Sequence, residues 1–598
     1  MEEPEDLRSE NGVLRVDLEY RSGTDAQGGR RYCYVYKGST ISPTLRLRPG
    51  DMLILHLKNE LPATPPAAGA TATGAGQPGN NLPGKMGMRM DLQAGAGETK
   101  WCTSARMTSA STNLHFHGLS VPPVCHQDDV LKTLVQPGEA PFEYRFQIPA
   151  NEPPGLYWYH PHVHGFSKAQ VLGGASGALI VEGIERANGA AAGLPERVFV
   201  IRDQDLIYPN AQPASGGAVV APPVVLDRDG DARNTGTGTG KPAKDLSINF
   251  VPVAFPDYPP AVIEMKPGEK QLWRVVNSCA ITYLNLQVLF DRVPQSLGLV
   301  SLDGVPINRG GLGGDRAIWQ NHLGVPPGGR VEFIVTGPPN GAAATFMTRS
   351  VNTGSAGEND PNRPLATIRA RDDAPEPRSI LAASPAPLAH ATNEWLGSVK
   401  PTRTRKLYFS EKQQDPSDPN SPTTFYLTVE GQEPKVFDPN SLLPNIVTHE
   451  GDVEDWIIEN RSQELHDFHI HQVHFMLLEW FGLAVDEPFL RDTVSVPFWD
   501  GKSRTYPWIR VRIDFRDPNS VGTFVYHCHL LEHEDGGMMG VIRVEPKTRS
   551  ANATEHAPGA KNTRQEGHRL CGPTQLVSAR FNTSRASRAF PPRDPTPK

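Results

Sequence analysis

Three stretches of this 598-residue chain repeat one short phrase, and that repeat limits the fold more than any other feature. Gly50-Asp51 leads through Leu53-Ile54-Leu55 to Asn59. Gly268-Glu269 leads through Leu272-Trp273-Arg274-Val275-Val276 to Asn277. Gly451-Asp452 leads through Trp456-Ile457-Ile458 to Asn460, and the glycine-to-asparagine spacing is nine in all three. Each reads as a turn feeding a β-strand. A second repeat links the ends of the first and third units: Gly155-Leu-Tyr-Trp-Tyr-His160-Pro161-His162 matches Gly522-Thr-Phe-Val-Tyr-His527-Cys528-His529. Repetition on this scale implies related units along one chain.

Composition agrees with a turn-rich, all-β chain. Gly (56) and Pro (57) make up about a fifth of the residues, more than a helical protein carries and less than the ~25–30% of a disordered one. Hydrophobic residues, at 38%, suffice for packed cores. The net charge of −7 gives no support to a nucleic-acid or anionic-membrane partner. No apolar run approaches the ~18 residues of a membrane span. Six cysteines are too few for a disulfide scaffold in a chain this long. The start, MEEPEDLRSE, has no basic and apolar leader, so no signal peptide is expected in this chain; one whose leader had been removed would look the same.

The 19 histidines fall into groups. They are His115-Phe-His117, His160-Pro-His162-Val-His164, His466-x-x-His469-x-His471-x-x-His474 and His527-Cys528-His529-x-x-x-His533. On a strand, His-x-His puts both imidazoles on one face, because side chains alternate with period two. One such pair has roughly even odds of being structural, but packing does not account for four groups. Neutral imidazole with thiolate suits copper. Zinc also takes His and Cys, but its sites usually close at four ligands, far fewer than these. Cys528, two histidines and Met538, five residues after His533, match a trigonal blue-copper site with a weak axial ligand. His527 and His529 alternate with Cys528 and face the other way, so three adjacent residues connect two metal sites.

In these motifs the chain resembles the multicopper oxidases, specifically the three-domain, bacterial-type laccase-like enzymes. The signatures are His115-Phe-His117-Gly118, His160-Pro-His162, His466-Asp-Phe-His469-Ile-His471 and His527-Cys528-His529-Leu-Leu-Glu-His533-Glu-Asp-Gly-Gly-Met538, spread over residues 115–538. One departure is Asp467, where many members carry proline. The resemblance implies four coppers per chain. The type 1 copper would take His466, Cys528 and His533, with Met538 axial and a moderate potential. The type 2 copper would take His115 and His469. One type 3 copper would take His117, His160 and His529, and the other His162, His471 and His527. O2 would be reduced to water at the three-copper cluster with electrons supplied one at a time by a reducing substrate. Glu534 and Asp128 are the candidate proton donors. Asp129 is the alternative to Asp128, although a surface role suits it better.

The expected architecture is three cupredoxin-like Greek-key β-sandwich domains. The first spans 1–185 with half of the trinuclear ligands. The second spans 190–375 and has no histidine cluster, so it is read as a spacer. The third spans 400–547, with the type 1 site and the other half of the cluster. Pro161 stands where the third unit has Cys528, so one blue site is expected. Linkers are read at 185–195 and 371–400, insertions at 62–84 and 229–242, and a disordered tail at 549–598.

Other residues have plainer readings. His126, His164 and His474 fall outside the ligand pattern and suit hydrogen-bonding roles. Met86, Met88 and Met90 could bind Cu(I), but packing is the better reading. Cys33, Cys102, Cys125, Cys279 and Cys571 are not ligands; Cys102 and Cys125 could pair in an oxidising compartment, though sequence does not fix pairing. Asn460 and two tail sites match the weak glycosylation sequon.

The expected activity is O2-dependent oxidation of phenols and aromatic amines. The runner-up is a metallo-oxidase acting on Cu(I), Fe(II) or Mn(II), which needs carboxylates or methionines beside His466 or His533. A copper-binding structural protein and a zinc hydrolase are the more distant alternatives. The partners are then a small-molecule or metal-ion donor and O2, for a chain read as a monomer. Family resemblance favours the periplasm or secretion, with the cytoplasm as the alternative.

Overall fold

The computed structural model describes residues 1–25, 28–62, 102, 107–208, 210, 240–307, 317–382, 394–415, 421–487 and 490–547. Met86, Met88, Met90, Cys571, the tail and most of the two expected insertions lie outside them, as does the middle of the 371–400 linker. The described residues are 47% strand and 6% helix, as the turn-rich composition predicts.

Among the described residues the strands form six sheets, two in each of three consecutive blocks. The three repeated phrases explain this. They become the strands Met52–Asn59, Lys270–Asn277 and Val453–Asn460. Each runs parallel to a long earlier strand: Val13–Thr24, Pro195–Gln204 and Arg403–Gln413 respectively. Each also pairs antiparallel with a later one: Phe142–Gln147, Arg330–Thr336 and Trp508–Asp514.

The terminal asparagine does the same work three times. Asn59 Nδ2 donates to the Ala110 and Val135 carbonyls while its Oδ1 accepts from Leu61 N. Asn277 holds Thr282, Val325 and Cys279 in this way, and Asn460 holds Glu464, Val496 and Ser462. One amide thus satisfies three buried backbone groups where the chain leaves the strand. Asn460 is fully buried by this role, so its sequon marks a structural asparagine rather than an exposed acceptor.

Leu, Val, Ile and aromatic side chains from facing sheets form one core in each block. The third core also takes in Val171, Ala280, Ile281 and Tyr283 from the earlier blocks. The expected 185–195 linker is instead partly folded, with helical turns at Ile184–Ala187 and Gly189–Ala191. Buried Arg46, Glu196 and Arg274 bridge the first and second blocks, with Arg46 Nη1 2.7 Å from Glu196 Oε1 and Arg274 Nε 2.6 Å from Glu196 Oε2.

Candidate metal centre

The second repeat places the chemistry. Gly155–His160 pairs with His115–His117, setting His115 opposite His160. Gly522–Cys528 pairs with His466–Ile470, setting Phe468 opposite Cys528 and His469 opposite His527. Alternation along the Gly522–Cys528 strand then divides the side chains. The Cys528 thiol faces one nest of side chains. His527, with His529 just beyond the strand end, faces another.

In the first nest Cys528 Sγ lies 3.5 Å from His466 Nδ1 and 3.7 Å from His533 Nδ1, and the two nitrogens are 3.1 Å apart. These three atoms converge on one point. Met538 is buried in the same core, and its carbonyl accepts from Cys528 N. The outer nitrogens of the two rings face carboxylates. Glu411 Oε1 is 3.0 Å from His466 Nε2, and Glu464 Oε1 is 2.7 Å from His533 Nε2. Ser462 Oγ also lies 2.8 Å from His466 Nε2. Phe425 stacks on His533. His533, at 7% exposure, is the most open of the ten candidate ligand histidines; the others are at 3% or less.

The second nest gathers eight rings from four segments. His527 Nε2 sits 3.3 Å from His162 Nε2 and 3.2 Å from His471 Nε2. His115 stacks on His471 at 3.7 Å, and His117 on His469 at 3.9 Å. His529 lies edge-on to His117 and His160. Trp158 stacks on His160 at 4.1 Å.

The tautomers can be read from outer partners. His115 Nδ1 faces Asp128 at 3.0 Å. His117 Nε2 faces Asp492 Oδ1 at 3.0 Å, and His469 Nδ1 the Asp492 carbonyl at 2.9 Å. His160 and His527 each use Nδ1 against a neighbouring carbonyl. In each ring the outer nitrogen is the N–H donor. The inner nitrogens of His115, His117, His160 and His469 are buried without a hydrogen-bond partner. Leaving one such group unsatisfied costs about 1–3 kcal/mol, so several lone pairs meeting in one space call for a cation. Burial lowers these rings, His160 to about 3 and His527 to about 4, and so keeps them in the neutral form that binds metals. Burial likewise pushes the Cys528 thiol up, so thiolate there requires a bound cation. The imidazole and thiolate set fits copper.

Both candidate proton donors reach this nest. Asp128 is fully buried against His115, fixed by Phe116 N and by Gln472 Nε2. The Glu534 oxygens lie 3.7 Å from His162 Nε2 and His527 Nδ1. Burial pushes both carboxyls well above the usual range. Asp129 accepts from Lys132 N in the adjoining turn and is buried, not at the surface as expected.

The remaining histidines take hydrogen-bonding and packing positions. His126 faces the Glu143 carbonyl and stacks on Phe142. His164 packs on Phe437, and His474 faces the Asp303 carbonyl. Cys102 and Cys125 form a disulfide, while Cys33 and Cys279 are free.

Sequence reasoning missed Glu411, Glu464, Asp492 and Arg330. It also read the middle block as a spacer. That block supplies Arg330 and Asp303 against Asp492, and Gly328, where a Cβ would sit 2.8 Å from the His529 ring.

Comparisons with known proteins agree with this geometry. Two multicopper oxidase sequence profiles match residues 87–186 and 416–548. The multicopper oxidase mco of Staphylococcus haemolyticus is 22% identical over 523 residues, covering 85% of this chain and 83% of that protein. The fold is similar to that of a multicopper oxidase from Campylobacter jejuni described as a metallo-oxidase, with a TM-score of 0.59, 22% identity and coverage of 91% and 95%. McoA of Aquifex aeolicus gives a TM-score of 0.59 at 18% identity, covering 91% and 99%. The two segments that carry the histidine pattern match the multicopper oxidase family, and the chain is a copper-dependent oxidase that uses O2.

Proposed function

We propose that the chain couples four one-electron oxidations of a phenol or aromatic amine to the reduction of O2 to two waters. The observation that carries this is Cys528, whose thiol belongs to one nest while His527 and His529 belong to the other. His466, Cys528, His533 and Met538 would hold the type 1 copper. His115 and His469 would hold type 2. His117, His160 and His529 would hold one type 3 copper, and His162, His471 and His527 the other, four coppers in all. Bound copper would supply one-electron uptake at the first nest and oxygen reduction at the second.

The protein's own part is proton and access control. Asp128 and Glu534 keep their protons to higher pH than ordinary carboxyls, so each can release one beside the cluster. Nearly complete burial of the eight rings excludes bulk water and donors from the second nest. His533, the least buried of the ten rings, is where a donor would meet the first.

A second reading, oxidation of Cu(I), Fe(II) or Mn(II), is favoured by Glu411 and Glu464. Carboxylates beside both outer ring nitrogens suit a cation more than a neutral phenol. Parallel turnover of a phenol and of each metal ion by the copper-loaded protein separates the two. Phenol oxidation at the higher kcat/KM supports the first reading, and metal-ion oxidation at the higher value supports the second. The Cys102–Cys125 disulfide supports work in an oxidising compartment outside the cytoplasm. Among the described residues no helix is long and apolar enough to cross a membrane.

A further inference from the structure

The middle block sends one charged side chain into the junction of the other two. Arg330 opens the strand Arg330–Thr336 and is fully buried. Its Nη1 donates to Asp492 Oδ1 at 2.7 Å and its Nη2 to Asp492 Oδ2 at 2.6 Å. Nη1 also donates to the Gly328 carbonyl, and Nε to the Leu156 carbonyl. Asp303 holds the far side: its Oδ1 accepts from Arg330 N, and its Oδ2 from Asp492 N and Thr493 N. A Cβ on Gly118, the residue after His117, would run into Arg330 Nη2 and Asp492 Oδ2.

Both Asp492 oxygens are therefore engaged by a rigid fork, and the residue has one orientation. In it, Asp492 Oδ1 faces His117 Nε2, from the first block, and the Asp492 carbonyl faces His469 Nδ1, from the third. The opposite nitrogens of those rings, His117 Nδ1 and His469 Nε2, are the buried ones without partners. A buried guanidinium is expensive unless every donor is used for something, and here four of its hydrogen bonds converge on this one alignment.

We propose that Arg330 is a positioning residue for the histidine cluster: through Asp492 it fixes the tautomer and orientation of His117 and His469, so that a lone pair from the first block faces the type 3 position and one from the third faces the type 2 position. The inference rests on the copper reading above. It assigns the middle block a part in the cluster that its lack of histidines conceals.

The test compares copper-loaded wild type with Arg330→Met, Arg330→Lys, Asp492→Asn and the Arg330→Met/Asp492→Asn pair. Copper content, visible absorption and paramagnetic resonance are read after dialysis against a mild chelator, without turnover. Arg330→Met and Asp492→Asn are each expected to hold the type 2 copper about 10–100-fold more weakly while the blue band persists, the usual loss for an outer partner of a ligand. Arg330→Lys, a charge without the fork, should fall between them and wild type. The double variant should lose no more than the singles, because both act on one alignment. A wild-type type 2 signal in Arg330→Met or in Asp492→Asn overturns the proposal, as does proportionate loss of the blue and type 2 signals in all variants. If Arg330→Met does not fold, Asp492→Asn and Arg330→Lys decide on the same criteria. Wild-type protein that takes up no copper defeats the copper reading itself, a result distinct from failure of this inference.

Discussion

The two nests use the same side chain in opposite surroundings. Around Cys528 the outer ring nitrogens face Glu411 and Glu464, whose side chains are 18% and 10% exposed. Around the eight rings the outer partners are Asp128, Asp492 and backbone carbonyls, and both aspartates are fully buried. The difference teaches where traffic crosses the surface. The first nest, proposed to exchange electrons with a donor, holds the least buried of the ten rings and keeps its carboxylates partly exposed. The second nest, where the proposed function puts O2, is closed; its carboxylates face the rings and in that proposal also supply protons.

This contrast is broken first at the closed nest. Asp128→Asn and Glu534→Gln should each lower kcat by roughly 10²–10⁴-fold with every donor, the usual worth of a positioned proton donor. Because burial raises both carboxyls, the activity each supports should be present at low pH and fall as pH rises through its elevated value. Full turnover with an unchanged pH profile in either variant removes that residue from the mechanism.

Effects at the open nest should be smaller and donor-specific. Glu411→Gln and Glu464→Gln should raise KM for Fe(II) or Cu(I) by about tenfold, near 1.4 kcal/mol, and leave phenol KM within about twofold. Equal change for phenol and metal ion would mean that the pair tunes the copper site and does not receive the donor.

The smallest effect concerns a carboxyl outside both nests. Burial raises Glu152 to about 8, while Ser120 N donates to it. Its folded value is above its unfolded one, so ionisation costs stability from about pH 4.5 upward, and fully above about pH 8. Glu152→Gln should therefore stabilise the fold by on the order of 2 kcal/mol at pH 8–9 and by nearly nothing at pH 4. Thermal unfolding at the two pH values reads this. A gain that is equal at both would show that packing, and not charge, limits that site.

Much of this was legible in the sequence because it depends on local spacing. The Gly-to-Asn phrase predicts three equivalent strands, and alternation across His527, Cys528 and His529 predicts two faces. The division of the other histidines between the nests is what the family resemblance implies. Arg330, Asp492, Glu411 and Glu464 were not legible. Each meets its partner across a tertiary contact with nothing periodic to mark it: Arg330 lies 162 residues from Asp492, and Asp492 lies 375 from His117. The middle block looked inert for the same reason, since one buried guanidinium leaves no cluster behind. Asn460 misled in the other direction, because a sequon and a buried strand-ending amide share the same letters.

The central claim is that Cys528 joins a blue copper site to an oxygen-reducing cluster. It is tested most directly by metal analysis and absorption of the holoprotein beside Cys528→Ser. The account predicts about four coppers and an intense thiolate-to-copper band in wild type. In Cys528→Ser it predicts loss of that band, of about one copper and of donor-driven O2 uptake, with the type 2 signal kept. Colourless copper-loaded wild type, or a serine variant that consumes O2 at the wild-type rate, would contradict it.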